Sequence, residues 1–394
     1  MPHIIDRIET FVVDAFRANY VFVKISTRDG LYGVGEGTVE HRENAVAAAI
    51  REFEPTLMGQ DAFDTEPLVE RMLRDSYWRT GVIIRSSVAA IEAALYDIKG
   101  KALGVPVYQL LGGAFRDRVP MYANAWFTGS KTATEFAGKA KAAIADGWKA
   151  LKWDPFGSAY LRLERSDMNR AIGIVEAVRD AVGPDIELMI EGHGRFDVPT
   201  AVSIANALEP SRPYWFEEPL PPESIAALAD VRARTRIPIA TGERYYETQR
   251  FGELINANTV DFIQCDVTHV GGLGETKRIA ALAHARYLPI APHNPLGPIA
   301  NAMTLHIGAA TQNFAWLETM VSDVPWRGEI VSENVVIDAA GLMKVPQTPG
   351  LGVDINVDAC AKRPPGTYSL RHYGGGLTNI RPLDAKPFYT RESA

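Results

Sequence analysis

A chain of 394 residues is long enough for two or three domains, or for one barrel with additions. Its composition, 46% hydrophobic and 23% charged, supports a sizeable core and argues against disorder. A formal net charge of −7 argues against a general nucleic-acid binder, and two cysteines, Cys265 and Cys360, form neither a disulfide framework nor a metal-site spacing. The start, "MPHIIDRIETF", lacks a signal-peptide pattern and no apolar run reaches membrane length, so a cytoplasmic protein without membrane partners is expected.

The first quarter reads as α+β. "IETFVVDA" and "YVFVKIST" are strand-like, and Asp29-Gly30 turns the second into "LYGVGEG". In "SSVAAIEAALYDIKGKALG", Val88, Ile91, Leu95 and Ile98 recur at helical spacing and Gly104 supplies a stop. From Val119 strands and helices alternate regularly. The strands are "VPMYANAWF", "KALKWDPF", "DIELMIEGH", "YWFEEP", "IPIATGE", "VDFIQCD", "LPIAPHN" and "FAWLET". Helices fill the intervals, the first opened by a Thr132–Glu135 capping box. Such alternation over roughly 200 residues predicts a (β/α)7β-type TIM barrel, with a doubly wound open sheet as the rival. The expected division is an N-terminal α+β capping domain (1–118), a barrel (119–350) and a C-terminal segment (351–394) on the capping domain. Periodicity does not place the Pro- and Gly-rich stretches "TPGLGVDI" and "HYGGGLTN".

Reactive residues of a barrel sit at the C-terminal ends of different strands. Here the third strand ends in Glu191 and His193, the fourth in Glu217 and Glu218, and the fifth in Glu243. Asp266, His293 and Glu318 end the sixth, seventh and eighth. Three acidic strand ends without a nearby thiolate describe an oxygen site for a hard cation, with Mg²⁺ favoured. Carboxylates so close would otherwise repel one another. Asp266 and His293 match a carboxylate that fixes a histidine's tautomer and raises its basicity. "GGLGE" lacks a full dinucleotide fingerprint and reads as a tight turn before a helix; "GVGEG" reads as a glycine-bearing strand. Cys265 reads as barrel wall, while Trp126, Trp153 and Trp316 suit a pocket lining or core packing equally.

These residues bring the chain to a family. "WFEEP", "TGE", "DVTHVGG" and "APHN" resemble barrel motifs of the enolase superfamily, in its mandelate racemase subgroup. "GVGEG" and "YDIKGKALGVPVYQLLGG" resemble its capping domain. The resemblance implies Glu191, Glu217 and Glu243 as Mg²⁺ ligands, an Asp266–His293 dyad as base, and Glu318 hydrogen-bonded near the substrate carboxylate or enolate. Glu191 departs from the aspartate usual in the superfamily. Family racemases carry Lys-x-Lys on the second strand; here Lys152 is followed by Asp154 where the second lysine would stand. "IEGHGRF" is similar to the sugar-acid dehydratases, in which the histidine two residues beyond the metal ligand is a general acid. His193 holds that position. "YANAW" and "ALKWDPFG" strengthen the likeness to gluconate and galactonate dehydratases.

The implied reaction is loss of water from an aldonic acid, giving a 2-keto-3-deoxy acid. Lys152 is expected near the acidic cluster, kept protonated by it and not an essential second base. Asp154 and Arg195 are assigned with it to substrate binding, a salt bridge behind the site being the alternative. The resemblance implies that segment 14–20, with 40–45 or 76–81, covers the barrel mouth. A racemase, epimerase or cycloisomerase is the enzymatic rival, and a sugar-acid sensor the non-catalytic one. A homo-oligomer is expected.

Overall fold

The computed structural model describes residues 2–75, 77–368 and 380–392. Strands β1 (Ile5–Asp14), β2 (Asn19–Thr27) and β3 (Tyr32–Glu36) form an antiparallel meander. The Asp29-Gly30 turn needs the left-handed backbone that Gly30 adopts, with φ 88°. Helices α1 (Glu43–Glu52), α2 (Glu54–Leu57), α3 (Thr65–Arg74), α4 (Val82–Leu103) and α5 (Val107–Leu110) complete this part. Val88, Ile91, Leu95 and Ile98 of α4 are fully buried with Val21, Val23 and Ile25, as their spacing requires. Gly104 ends α4 in a left-handed C-cap.

The barrel follows as β4 (Arg118–Asn124), α6 (Ala133–Ala145), β5 (Ala150–Trp153), α7 (Arg165–Val182), β6 (Glu187–Glu191) and α8 (Val198–Leu208). It continues through β7 (Trp215–Glu217), α9 (Ile225–Ala233), β8 (Ile239–Thr241), α10 (Thr248–Asn256), β9 (Phe262–Ile263) and α11 (Leu273–His284). Helix α12 (Pro298–Ala310) and strand β10 (Leu317–Met320) complete it. All barrel pairings are parallel, and β10 closes the ring on β4, Leu317 opposite Met121. That closure rules out the open sheet. The Thr132–Glu135 capping box opens α6. The seventh strand, expected over "LPIAPHN", shrinks to single bridges from Ile290 to Ile263 and Phe314. Pro289 and Pro292, which lack an amide hydrogen, flank that bridge and prevent a longer ladder.

Side chains alternate along strands, and this alternation builds the site. Tyr122, Ala150, Met189, Trp215 and Ala291 fill the barrel interior as one buried layer, with Trp316 packed against it. Two residues further along the same strands or their continuations stand Asn124, Lys152, Glu191, Glu217, His293 and Glu318. The polar layer therefore rests on a packed aromatic floor.

Buried carboxylates of the first domain reach across to the second. Glu92 of α4 accepts the amides of Leu273 and Gly274 at the start of α11. Asp97 accepts the amide of Val34 in its own domain (3.0 Å) and that of Leu351 in the C-terminal segment (2.8 Å). The C-terminal segment expected on the capping domain divides. Asn19 and Gly366 bond reciprocally at 3.1 and 2.8 Å, but Thr390–Arg391 pairs with Val336–Ile337 in the sheet that extends β4. Within "TPGLGVDI", Asp354–Ile355 pairs with Val331–Ser332; "HYGGGLTN" lies outside the described residues. Among the described residues, no helix is long and apolar enough to cross a membrane.

Candidate active site

A cavity of about 200 Å³ opens at the C-terminal ends of the barrel strands. Lys152, Asp154, Glu191, His193, Glu243, His293 and Glu318 all line it. Arg17, Val39, Glu40 and Val82 of the first domain face it too, as does Ile380. Arg17 and Glu40 form an ion pair there. Tyr77 and Trp78, from the third segment expected over the mouth, are largely exposed and do not line it.

Glu191, Glu217 and Glu243 end β6 and β7 and follow β8, each offering an oxygen within 4.8 Å of the others. The Lys152 ammonium sits among acids, 3.0 Å from Glu191, 2.6 Å from Glu217 and 3.2 Å from Glu318. Burial opposes its charge, yet these carboxylates hold its pKa well above the lysine range. Burial and the neighbouring Glu191 push the Glu217 carboxyl well up, against Lys152. For Glu191, burial is overcome by Lys152 and His193, and its pKa falls. Trp215 Nε1 donates to Glu217 Oε2 at 3.0 Å, fixing that carboxylate from the barrel floor. One ammonium does not balance so many acids. Glu191 Oε2 is buried without a hydrogen bond, its contact being the Lys152 ammonium. An all-oxygen, charge-rich donor set of this kind fits a hard divalent cation. Glu218, next after Glu217, turns away into an ion pair with Arg244 at 2.7 Å.

Opposite charges order the two histidines. Asp266 Oδ2 accepts His293 Nδ1 at 2.7 Å, while its Oδ1 takes the Thr268 amide at 2.7 Å and hydroxyl at 2.6 Å. Burial disfavours the Asp266 charge, but His269, His293 and Thr268 overcome it and its pKa falls to about 2. Burial also disfavours a His293 imidazolium; Glu243, Asp266 and Glu318 outweigh it and raise its pKa to about 10. Its Nε2 lies 3.1 Å from Glu243 Oε2, so a cation held by Glu243 would offset that field and favour the neutral ring. His193 Nδ1 lies 2.6 Å from Asp154 Oδ2. Burial opposes its charge as well, and Glu191 and Asp154 raise its pKa nonetheless.

The "GHG" turn explains how His193 reaches this place. Gly192 and Gly194 donate their amides to Glu217 O (2.9 Å) and Glu218 O (2.7 Å), running the loop along the end of β7. His193 itself takes a left-handed backbone with φ 48°, and its amide donates to Glu191 Oε1 at 2.7 Å. A Cβ at Gly194 would strike the Arg244 guanidinium.

Arg195 does not contact the cavity, which corrects its assignment to substrate binding. Its side chain is fully buried, with Nη2 2.7 and 2.6 Å from the two Asp154 oxygens and Nε 3.1 Å from Gly192 O. A guanidinium is most stable where its donors are matched in geometry, and here backbone and Asp154 match them. Asp154 faces the cavity yet is occupied by Arg195 and His193, so the salt bridge behind the site is what forms. Trp153 lines the cavity, whereas Trp126 packs on Trp153, Phe127 and Phe136, and Trp316 on Tyr214. Reading the sequence missed His269, Arg244 and Asn124. His269 lies 3.5 Å from Asp266, and Asn124 donates to Glu318 at 2.7 Å. The two lie three residues apart in the turn that follows β9, and that short separation was the available signal.

The chain matches the family model "Mandelate racemase / muconate lactonizing enzyme, N-terminal domain" over residues 8–112, and "Enolase C-terminal domain-like" over 135–359. It is 36% identical to a D-gluconate dehydratase of Thermoproteus tenax, across 87% of this chain and 69% of that one. With a D-galactonate dehydratase of Variovorax paradoxus it shares 35% identity, across 95% and 99%. A mandelate racemase/muconate lactonizing enzyme-like protein of Rubrobacter xylanophilus superposes with a TM-score of 0.85 at 35% identity, covering 92% and 98%. The carboxylate triad, the dyad and both domain matches lead to one conclusion: the chain belongs to the mandelate racemase subgroup of the enolase superfamily.

Proposed function

We propose that the protein is a Mg²⁺-dependent sugar-acid dehydratase that converts an aldonic acid to a 2-keto-3-deoxy acid. One observation carries this reading: two histidines, each oriented by its own aspartate, line a single cavity beside the carboxylate triad. Proton removal and hydroxyl departure need such a pair, one group as base and the other as acid. The named gluconate and galactonate dehydratase relatives support the same substrate class.

Glu191, Glu217 and Glu243 would hold the cation, which when bound offsets the negative charge developing on the substrate carboxylate. Asp266 occupies Nδ1 of His293 and leaves Nε2 to accept the C2 proton. The C2–H electron pair first passes into the substrate carboxylate as an enediolate, and then returns to form the C2=C3 bond as the C3–O bond breaks. His193, braced through Nδ1 by Asp154, delivers a proton to that oxygen, which leaves as water. The resulting enol takes a proton at C3 and becomes the 2-keto acid. Glu318, held by Asn124 and by the Asn294 amide at 3.0 Å, stands beside the reacting carboxylate as hydrogen-bonding partner. A two-base 1,1-proton transfer would need a partner for His293 on the opposite face of the substrate. Its second-strand candidates are both engaged, Lys152 by carboxylates and Asp154 by Arg195.

The test pairs an acid-sugar library, read by carbonyl trapping of a 2-keto acid, with two variants in D₂O. His293→Asn should lose both dehydration and C2 exchange. His193→Asn should keep exchange while dehydration falls by about 10²–10⁴. A wild type that returns only an epimer, without loss of water, would refute the dehydratase reading.

A further inference from the structure

Gly33, Gly35 and Gly37 alternate along β3 and just beyond it. A Cβ on them would lie 2.0, 1.9 and 2.4 Å from the carbonyl oxygens of Ala94, Ala90 and Ser86. Without side chains, this face lies directly on α4, while Glu36, between Gly35 and Gly37, and Thr38, just beyond, point the other way, toward the barrel. Glu36 is fully buried. Its Oε1 accepts the Thr38 hydroxyl at 2.7 Å and the Gly297 amide at 2.9 Å; its Oε2 accepts the amides of Ile299 at 3.1 Å and Ala300 at 2.9 Å. These amides open α12, one short turn after His293. A Cβ on Gly297 would come within 2.5 Å of Glu36 Oε1, so the approach requires glycine there. Thr38 O accepts His269 Nε2 at 3.1 Å, and the His269 amide donates to Asp266 Oδ1 at 3.2 Å.

Both barrel loops that carry the dyad are therefore tied to one three-residue stretch of the other domain. We propose that Glu36 is a positioning residue for the base: with Thr38 it fixes, from the capping domain, the relative placement of the Asp266 and His293 loops. The activity arm of its test rests on the reading of His293 as base. Glu36 does not line the cavity. Its leverage is geometric, because the Asp266–His293 bond spans two loops that β9 and the single Ile290 bridge hold only loosely in register.

Glu36→Gln preserves shape but turns an NH₂ toward amides that also donate. Proton abstraction, read as C2–deuterium exchange and as kcat, should fall about 10- to 100-fold, the scale of a small misalignment at the reacting atoms. KM and the Mg²⁺ affinity measured by calorimetry should hold. In the substrate-free protein, the downfield imidazole proton shared by His293 and Asp266 should shift or broaden. Asp97→Asn is the control, a buried capping-domain carboxylate that reaches no site loop; it should lower the melting temperature and move none of these. Gly297→Ala crowds the same carboxylate from the barrel side and should reproduce the effect, which covers a Glu36→Gln chain that does not fold. Wild-type exchange with an unmoved resonance in either variant would overturn the proposal, as would losses matching those of Asp97→Asn. If the wild type exchanges no sugar acid, the functional reading fails, and the resonance comparison alone decides the role of Glu36.

Discussion

Asp154 Oδ2 lies 2.6 Å from both His193 Nδ1 and Arg195 Nη2, so one carboxylate oxygen serves the candidate acid and a buried guanidinium together. The arginine holds Asp154 in place, and the carboxylate oxygen aimed at His193 keeps a proton on Nδ1. Asp154→Asn preserves volume but permits the amide to donate, which reverses the ring tautomer. Formation of 2-keto acid should fall by about 10²–10⁴ while C2 exchange in D₂O continues. Wild-type dehydration in this variant would remove Asp154 from the acid's machinery.

The Lys152 ammonium stabilises the cation-free protein by holding Glu191, Glu217 and Glu318 together. Lys152→Met leaves buried carboxylates facing one another, a change that costs about 3–5 kcal/mol in comparable settings. The metal-free melting temperature should drop, and added Mg²⁺ should raise it by more than in the wild type. C2 exchange should survive, since this lysine is not the base. Scanning calorimetry with and without Mg²⁺ measures the first; equal Mg²⁺ shifts in both proteins would show that the ammonium does not substitute for the cation's charge.

Glu217 is the triad member buried deepest among carboxylates and anchored by Trp215. Glu217→Gln keeps an oxygen for the indole and loses the charge, so Mg²⁺ affinity measured by titration calorimetry should weaken. Chelation should abolish turnover of the wild type and Mg²⁺ should restore it. Full activity after exhaustive chelation would end the metal assignment.

A fourth expectation concerns stability and pH. His306 is fully buried, its Nδ1 accepting the Tyr108 amide at 3.2 Å and its Nε2 donating to Leu351 O at 3.1 Å. Burial lowers its pKa from 6.5 to about 4, against the Leu351 carbonyl, which favours the charged ring. The unfolded chain therefore binds a proton that the folded chain refuses between those values. Stability from this site is intact above the unfolded pKa and erodes as pH falls through that window, by about 3 kcal/mol at its end. His306→Gln keeps a donor for Leu351 and does not titrate. Denaturant melts of both proteins across the window should show a shallower acid slope for the variant; parallel slopes would refute the assignment.

The βα spacing made Glu191, Glu217, Glu243, Asp266, His293 and Glu318 legible, since a strand end recurs once per unit and a barrel points all of them into one mouth. The Thr132 cap and the α4 stripe were legible for the same reason: short-range pattern fixes them. The fate of Arg195 was not. Whether a guanidinium turns to the cavity or to Asp154, far off in sequence, depends on loop conformation, here the left-handed turn at His193. The seventh strand lies where expected but is cut to single bridges at Ile290, because two prolines remove the amides that a longer ladder needs. Glu36 was hidden by its own motif: glycines in "GVGEG" signal a close backbone approach but do not say what the intervening carboxylate meets on the far side.

Glu36, Glu92 and Asp97 give the capping domain a grip on loops that belong to another part of the chain. The domain that lends Arg17, Val39, Glu40 and Val82 to the cavity wall is thereby also the one that fastens loops around it. A chimera that takes its cap from a relative imports the fasteners of the host barrel's base along with a new lid. Its success will turn on whether the graft carries acceptors in register with the amides of Gly297, Leu273 and Leu351, before any question of which sugar acid the lid admits.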